Sequence, residues 1–173
     1  DGIDNDCDGS VFDETNVATF TDSAGNKTDV SANFYYSGSR FQSSADGTLH
    51  LCRGGYDNGL SLSHQVDVVG IGGSTSVELS GGIYVTADAS LTNLSISSGS
   101  YYSATSVSCN NGSLVMTDVE IEGGSRGFDY AIESFWCDLE WVGGGWSDEP
   151  DLGINLSGGS FYGESLDLVS RRG

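Results

Sequence analysis

A short phrase recurs along this chain: an apolar residue, one polar residue, a second apolar residue, then glycine or serine. It occurs at Leu49/Leu51, Val66/Val68, Leu94/Ile96, Val119/Ile121, Leu139/Trp141 and Leu166/Leu168, with spacings of 17, 28, 25, 20 and 27 residues. Glycine turns such as Gly72-Gly73, Gly123-Gly124 and Gly143-Gly144-Gly145 follow most instances. Further alternating stretches lie between them, at residues 77–82, 105–109, 130–134 and 153–159, so each unit holds two or three strands. Strands this short cannot bury their inward side chains alone, but stacked units can share one continuous core. The pattern therefore predicts an all-β β-solenoid. Its unequal repeat length suits a right-handed parallel β-helix, whose loops vary, better than a strict hexapeptide type. An antiparallel sandwich is the competing architecture, since short strands and frequent turns also permit it.

Three segments follow from this reading: an acidic loop at 1–14, a cap at 15–47 and a parallel β-helix at 48–173. The cap segment is less periodic, with a turn around Ala24 to Lys27 and apolar alternation near Phe34 and Tyr36. Its expected role is to cover the first coil, whose backbone donors and core side chains would otherwise be exposed. Composition agrees with an all-β chain of tight turns. Glycine supplies 26 of 173 residues, about twice the usual share of roughly 7%, and there is one proline.

The acidic loop carries the chemistry. In DGIDNDCDGSVFDE, Asp4, Asp6 and Asp8 fall on alternate positions, Gly9 follows, and Asp13 and Glu14 close the run. Alternate side chains of a tightly turning segment converge on one point, and carboxylates brought that close repel one another unless a cation lies among them. Hard oxygen ligands at this density suit Ca²⁺ better than zinc or copper. Asp4, Asp6 and Asp8 take the first, third and fifth places of an EF-hand-like loop, and Ser10 offers its backbone carbonyl at the seventh. The twelfth place is Thr15, so Asp13 or Glu14 must supply the closing carboxylate, and no amphipathic helix flanks the loop.

This run resembles the aspartate-rich "DGxDNDCDG…VDE" metal-binding motif of secreted and surface proteins of myxobacteria and related Gram-negative bacteria. The resemblance covers Asp1 to Glu14 and implies an extracellular calcium module. It departs from the pattern in lacking a cysteine before Asp1 and in the inserted Phe12. A second likeness lies in LHLCRGGY, Leu49 to Tyr56, followed by VDVVGIGG. These segments are similar to the first coils of the pectin-lyase-like parallel β-helix superfamily, and the likeness implies fold more than function.

The net charge of −19, with six basic residues, argues against a nucleic-acid partner, because phosphate would be repelled. No apolar span is long enough for membrane insertion. The chain starts at aspartate, as expected of a processed mature chain or an excised part of a longer one. Four cysteines, Cys7, Cys52, Cys109 and Cys137, allow three disulfide connectivities. The favoured one joins Cys7 to Cys52, tying the calcium loop to the body, and Cys109 to Cys137, joining neighbouring coils. The extracellular setting that the motif resemblance implies makes such disulfides plausible, and a secreted or cell-surface protein is the expectation.

An enzyme is the weaker expectation. A calcium-dependent polysaccharide lyase needs a basic residue near the sugar proton, and neither Arg53 nor Arg126 has an acidic constellation around it in sequence. His50 and His64 are isolated. Trp136, Trp141 and Trp146 are candidates for stacking on glycans, although Trp141 occupies a core anchor position. The segment 147–151, with Asp148, Glu149 and Asp151, is a weaker second cation site. SFYGESLDLVSRRG ends on another strand phrase, so either the natural protein continues there or another copy docks head-to-tail, which would give a filament. The expected function is thus a calcium-stabilised structural or adhesive subunit, with a glycan-binding or glycan-cleaving module as the alternative.

Overall fold

The computed structural model describes residues 17–35, 40–97, 105–122, 130–146 and 153–168. It is a β-solenoid of about five turns. The first coil comprises the strand Gly47–Leu51 (β4), flanked in the chain by β3 (Phe41–Gln42) and β5 (Gly54–Tyr56). The second repeats this plan as β6 (Leu60–Leu62), β7 (Val66–Gly70) and β8 (Val77–Leu79). In the third, β9 (Ile83–Val85) precedes β10 (Ala89–Ser97), which bends around a corner and serves two faces. The strands β11 (Thr105–Glu122) and β12 (Tyr130–Trp146) each run through all three faces without a break. The last coil is β13 (Ile154–Ser157), β14 (Phe161–Glu164) and β15 (Asp167–Leu168). All pairings between these coils are parallel, which excludes the antiparallel sandwich.

Three parallel faces result, and each buries its own stack of side chains. On the first, Leu49, Val68, Leu91, Met116 and Trp141 are register partners from coil to coil. On the second, Tyr56, Leu79, Ile96 and Ile121 stack. On the third, Leu60, Ile83, Val107 and Ile132 do so. All of these are buried in one continuous core. The recurring phrase of the sequence belongs to two of these faces. Leu49/Leu51, Val66/Val68 and Leu139/Trp141 lie on the first, whereas Leu94 and Ile96 pair with Val119 and Ile121 on the second. The irregular spacing of the phrase arises from this change of face: the first-face stack from Leu49 to Trp141 advances by 19 to 25 residues per coil.

One end of the first face is closed by a hairpin. The strand β1 (Ala18–Asp22) pairs antiparallel with β4, and β2 (Lys27–Asp29) pairs antiparallel with β1. The turn between them is tied by the Asp22 carboxylate, which accepts from the backbone N–H groups of Ala24 and Asn26 at 2.9 and 2.8 Å and from the Asn26 side-chain amide at 2.8 Å. The Asn26 side-chain bond, with its backbone bond, holds the carboxyl below its ordinary range. Where alternation near Phe34 predicts a strand, residues Ala32–Tyr35 form the one-turn helix α1. That turn drives Phe34 into the core between Phe41 and Tyr56, with ring centroids 6.4 and 5.0 Å away. The Tyr56 hydroxyl reaches the carbonyl oxygens of Val17 at 2.6 Å and Cys52 at 2.8 Å, linking hairpin to first coil.

A disulfide joins Cys109 of β11 to Cys137 of β12, with Cα atoms 5.9 Å apart, clamping two successive coils inside the core. Closing a loop with a sequence separation of 28 stabilises by about 3.5 kcal/mol in the chain-entropy account. Cys52 is also disulfide-bonded; its expected partner Cys7 lies outside the described residues.

Candidate functional site

The predicted calcium ligands Asp4, Asp6, Asp8, Ser10, Asp13 and Glu14 all lie outside the described residues, as do Asp148, Glu149, Asp151 and Arg126. Among the described residues no group of three or more His, Cys, Asp or Glu side chains is arranged to hold a metal. His64 is placed by the body: its Nδ1 is 2.9 Å from the Ser43 carbonyl oxygen. Arg40 lies over the Tyr84 ring at 4.5 Å from its centroid, a cation–π contact across coils.

Many of the described acids clamp neighbouring coils. One row at the entrance to the first face reads Asp46, Gln65, Asp88, Ser113, Asp138 and Ser160 from coil to coil. Asp46 accepts from the Gln65 N–H at 3.0 Å, Asp88 from both the N–H and hydroxyl of Ser113 at 3.0 Å, and Asp138 from the Ser160 hydroxyl at 2.7 Å. Asp67 and Ser90 make the same link at 2.6 Å. A carboxylate bonded to donors of the next coil is both spaced from like charge and satisfied. The serine and aspartate enrichment thus has a structural basis in these links.

The second face is different. Its outward row runs Glu78, Ser95, Glu120, Gly145 and Asp167. Glu120 has no intervening side chain between it and Asp167, and Glu122 lies on the same strand. Partial burial, and then the charges of Asp167 and Glu122, raise the Glu120 carboxyl above its ordinary value. A raised carboxyl contributes stability that is present below the unfolded-state value and lost as pH rises through the folded-state value. The expected result is that Glu120→Gln melts higher than the parent at neutral pH and that the two converge on acidification. Thermal melts of both proteins from about pH 3 to pH 8 check this, and a neutral-pH decrease in the variant would refute it.

The aromatic candidates separate cleanly. Trp141 is fully buried and its Nε1 donates to the Val119 carbonyl at 3.3 Å. Trp146 is partly buried against it, with ring centroids 6.0 Å apart. Trp136 is 73% exposed. It stands at the corner between the third and first faces, in register with Asn111 of the preceding coil and Gly158 of the following one. All three take left-handed backbone conformations, with φ of 57°, 54° and 88° for Asn111, Trp136 and Gly158. A second left-handed corner stacks Asn93, Asp118, Gly143 and Ser165. Asparagine, aspartate and glycine populate this region most readily. Asn93 and Asn111, which also begin glycosylation-type sequons, therefore have a backbone reason for their positions.

No helix among the described residues is long and apolar enough to cross a membrane. Comparison with protein-family models, curated proteins and solved structures finds no match to this chain.

Proposed function

We propose that this protein is a calcium-stabilised structural or adhesive β-solenoid of the cell exterior, assembling head-to-tail through its last coil. The observation that carries this reading is the exposed inward row of the last described coil. Leu156, Phe161 and Leu168 occupy inward rows, in register with Ser134, Leu139 and Trp146. They are nevertheless 42%, 37% and 45% exposed. Among the described residues β13, β14 and β15 pair with β12 alone, and inward-row side chains exposed on such a rung favour addition of a further coil, from the same chain or from a second copy. A second copy docking there makes a heterologous contact, which propagates.

The acidic leader supports the calcium part of the reading, with Asp4, Asp6, Asp8, the Ser10 carbonyl and one of Asp13 or Glu14 as ligands. Its resemblance to the secreted bacterial aspartate-rich motif supports an extracellular location, and the stacked parallel coils support a scaffold. The Cys109–Cys137 disulfide is compatible with an oxidising compartment. Removing calcium with EDTA is expected to lower the melting temperature and to shift size-exclusion profiles toward the single chain. Restoring calcium should reverse both changes, and the Asp4→Asn/Asp6→Asn variant should fail to respond. A melting temperature and a size profile insensitive to EDTA would remove this proposal.

A further inference from the structure

Trp136 conflicts with its place in the fold. A bulky L-residue in the left-handed region costs on the order of 1 kcal/mol or more, whereas the corner partners Asn111 and Gly158 are of types that adopt this conformation readily. Burial cannot account for the choice, because the side chain is 73% exposed. Nor is its ring loosely placed. A Cβ built on Gly158 would lie 2.8 Å from the Trp136 ring, so the absence of a side chain there gives the indole a seat on the next coil.

We propose that Trp136 is the stacking platform of a binding site for a neutral polysaccharide. An indole offers a broad apolar face with a polar edge, and a ring seated in advance loses little conformational freedom on binding. Neighbouring corner positions supply neutral hydrogen-bonding groups: Asn110 and Ser157 flank Phe135 in register, and Asn111 sits beside Trp136 itself. The Asn111 amide donates to the Asn110 side-chain oxygen at 2.9 Å, leaving further amide donors and acceptors for hydroxyl groups. Phe135, 37% exposed, extends the apolar surface. The chain's net charge of −19 disfavours an acidic polymer. A cationic ligand would call for carboxylates around the ring, and the register neighbours of Trp136 and Phe135 are uncharged.

The test is native affinity electrophoresis of the full chain in gels containing hydroxyethylcellulose, xylan, galactomannan or mixed-linkage β-glucan. Polygalacturonate and poly-lysine serve as charged comparators. Retardation by at least one neutral polymer is expected, with affinity reduced about tenfold or more in Trp136→Asn, the residue type that the preceding coil already uses. The variant's melting temperature should be unchanged or higher. Trp136→Gly, matching the following coil, provides a second variant should the first fail to fold. Protection of tryptophan emission from acrylamide quenching by the retarding polymer gives a readout in the unaltered protein. Absence of retardation in every neutral gel, binding that survives loss of Trp136, or Trp136-dependent binding confined to poly-lysine would each overturn the proposal.

Discussion

Trp141→Ala is expected to destabilise the protein by about 3–5 kcal/mol, the range for truncating a fully buried large aromatic. Trp141 terminates the covered part of the first-face stack, below it lies Met116, and its own indole is wholly shielded from solvent. Alanine there would leave a void that the backbone cannot close, because the strand is pinned on both sides by parallel ladders to β11 and β14. The Val119 carbonyl would also lose its bond from the indole nitrogen. Urea or thermal unfolding followed by circular dichroism measures the loss, and a change under about 1 kcal/mol would show that the core is not packed as described. Trp136→Asn is the internal contrast, since the same residue type at the solvent-facing corner should cost nothing.

Gly144→Ala is the second large effect. Gly144 has φ of 82°, and a Cβ there would lie 2.1 Å from the Val119 carbonyl oxygen of the coil beneath. The obstruction is backbone on backbone, so no side-chain rotation relieves it. Separating the two coils would break hydrogen bonds along the ladder that holds Val119 to Gly144 and Ile121 to Trp146. A loss of about 3 kcal/mol or more is expected, combining left-handed strain with the clash. Gly55→Ala, where nothing lies within 4 Å of the added carbon, should change stability by no more than about 0.5 kcal/mol. Equal effects at the two positions would refute the close coil contact at Gly144.

These two predictions show what kinds of information the chain carries. The strand phrases were legible because alternation places every second side chain inward regardless of which face a strand joins. Phase was not legible. Leu94/Ile96 and Leu49/Leu51 read identically in one dimension, yet the first belongs to the second face and the other to the first face. Only the register between coils separates them. The same limit applies to Phe34, whose apolar neighbourhood fits a strand until the closing aromatic cluster with Phe41 and Tyr56 favours a single helical turn.

The candidate site divides along the same line. Trp136, Trp141 and Trp146 share a composition signal, and nothing local to each distinguishes a core indole from a displayed one. Their roles depend on residues a whole coil away, with Val119 accepting from Trp141 and Gly158 seating Trp136. The acidic leader stays an expectation from spacing alone, since its carboxylates lie outside the described residues.

Local pattern determined the all-β class and the stacked-coil architecture, because period-two alternation and repeat length are properties of the chain itself. Tertiary structure decided which phrase lies on which face, which acids bond to the next coil, and which tryptophan is presented to solvent. Those choices are made by contacts between residues about one coil apart, where the energy depends on register and close packing rather than on any property of the neighbouring sequence.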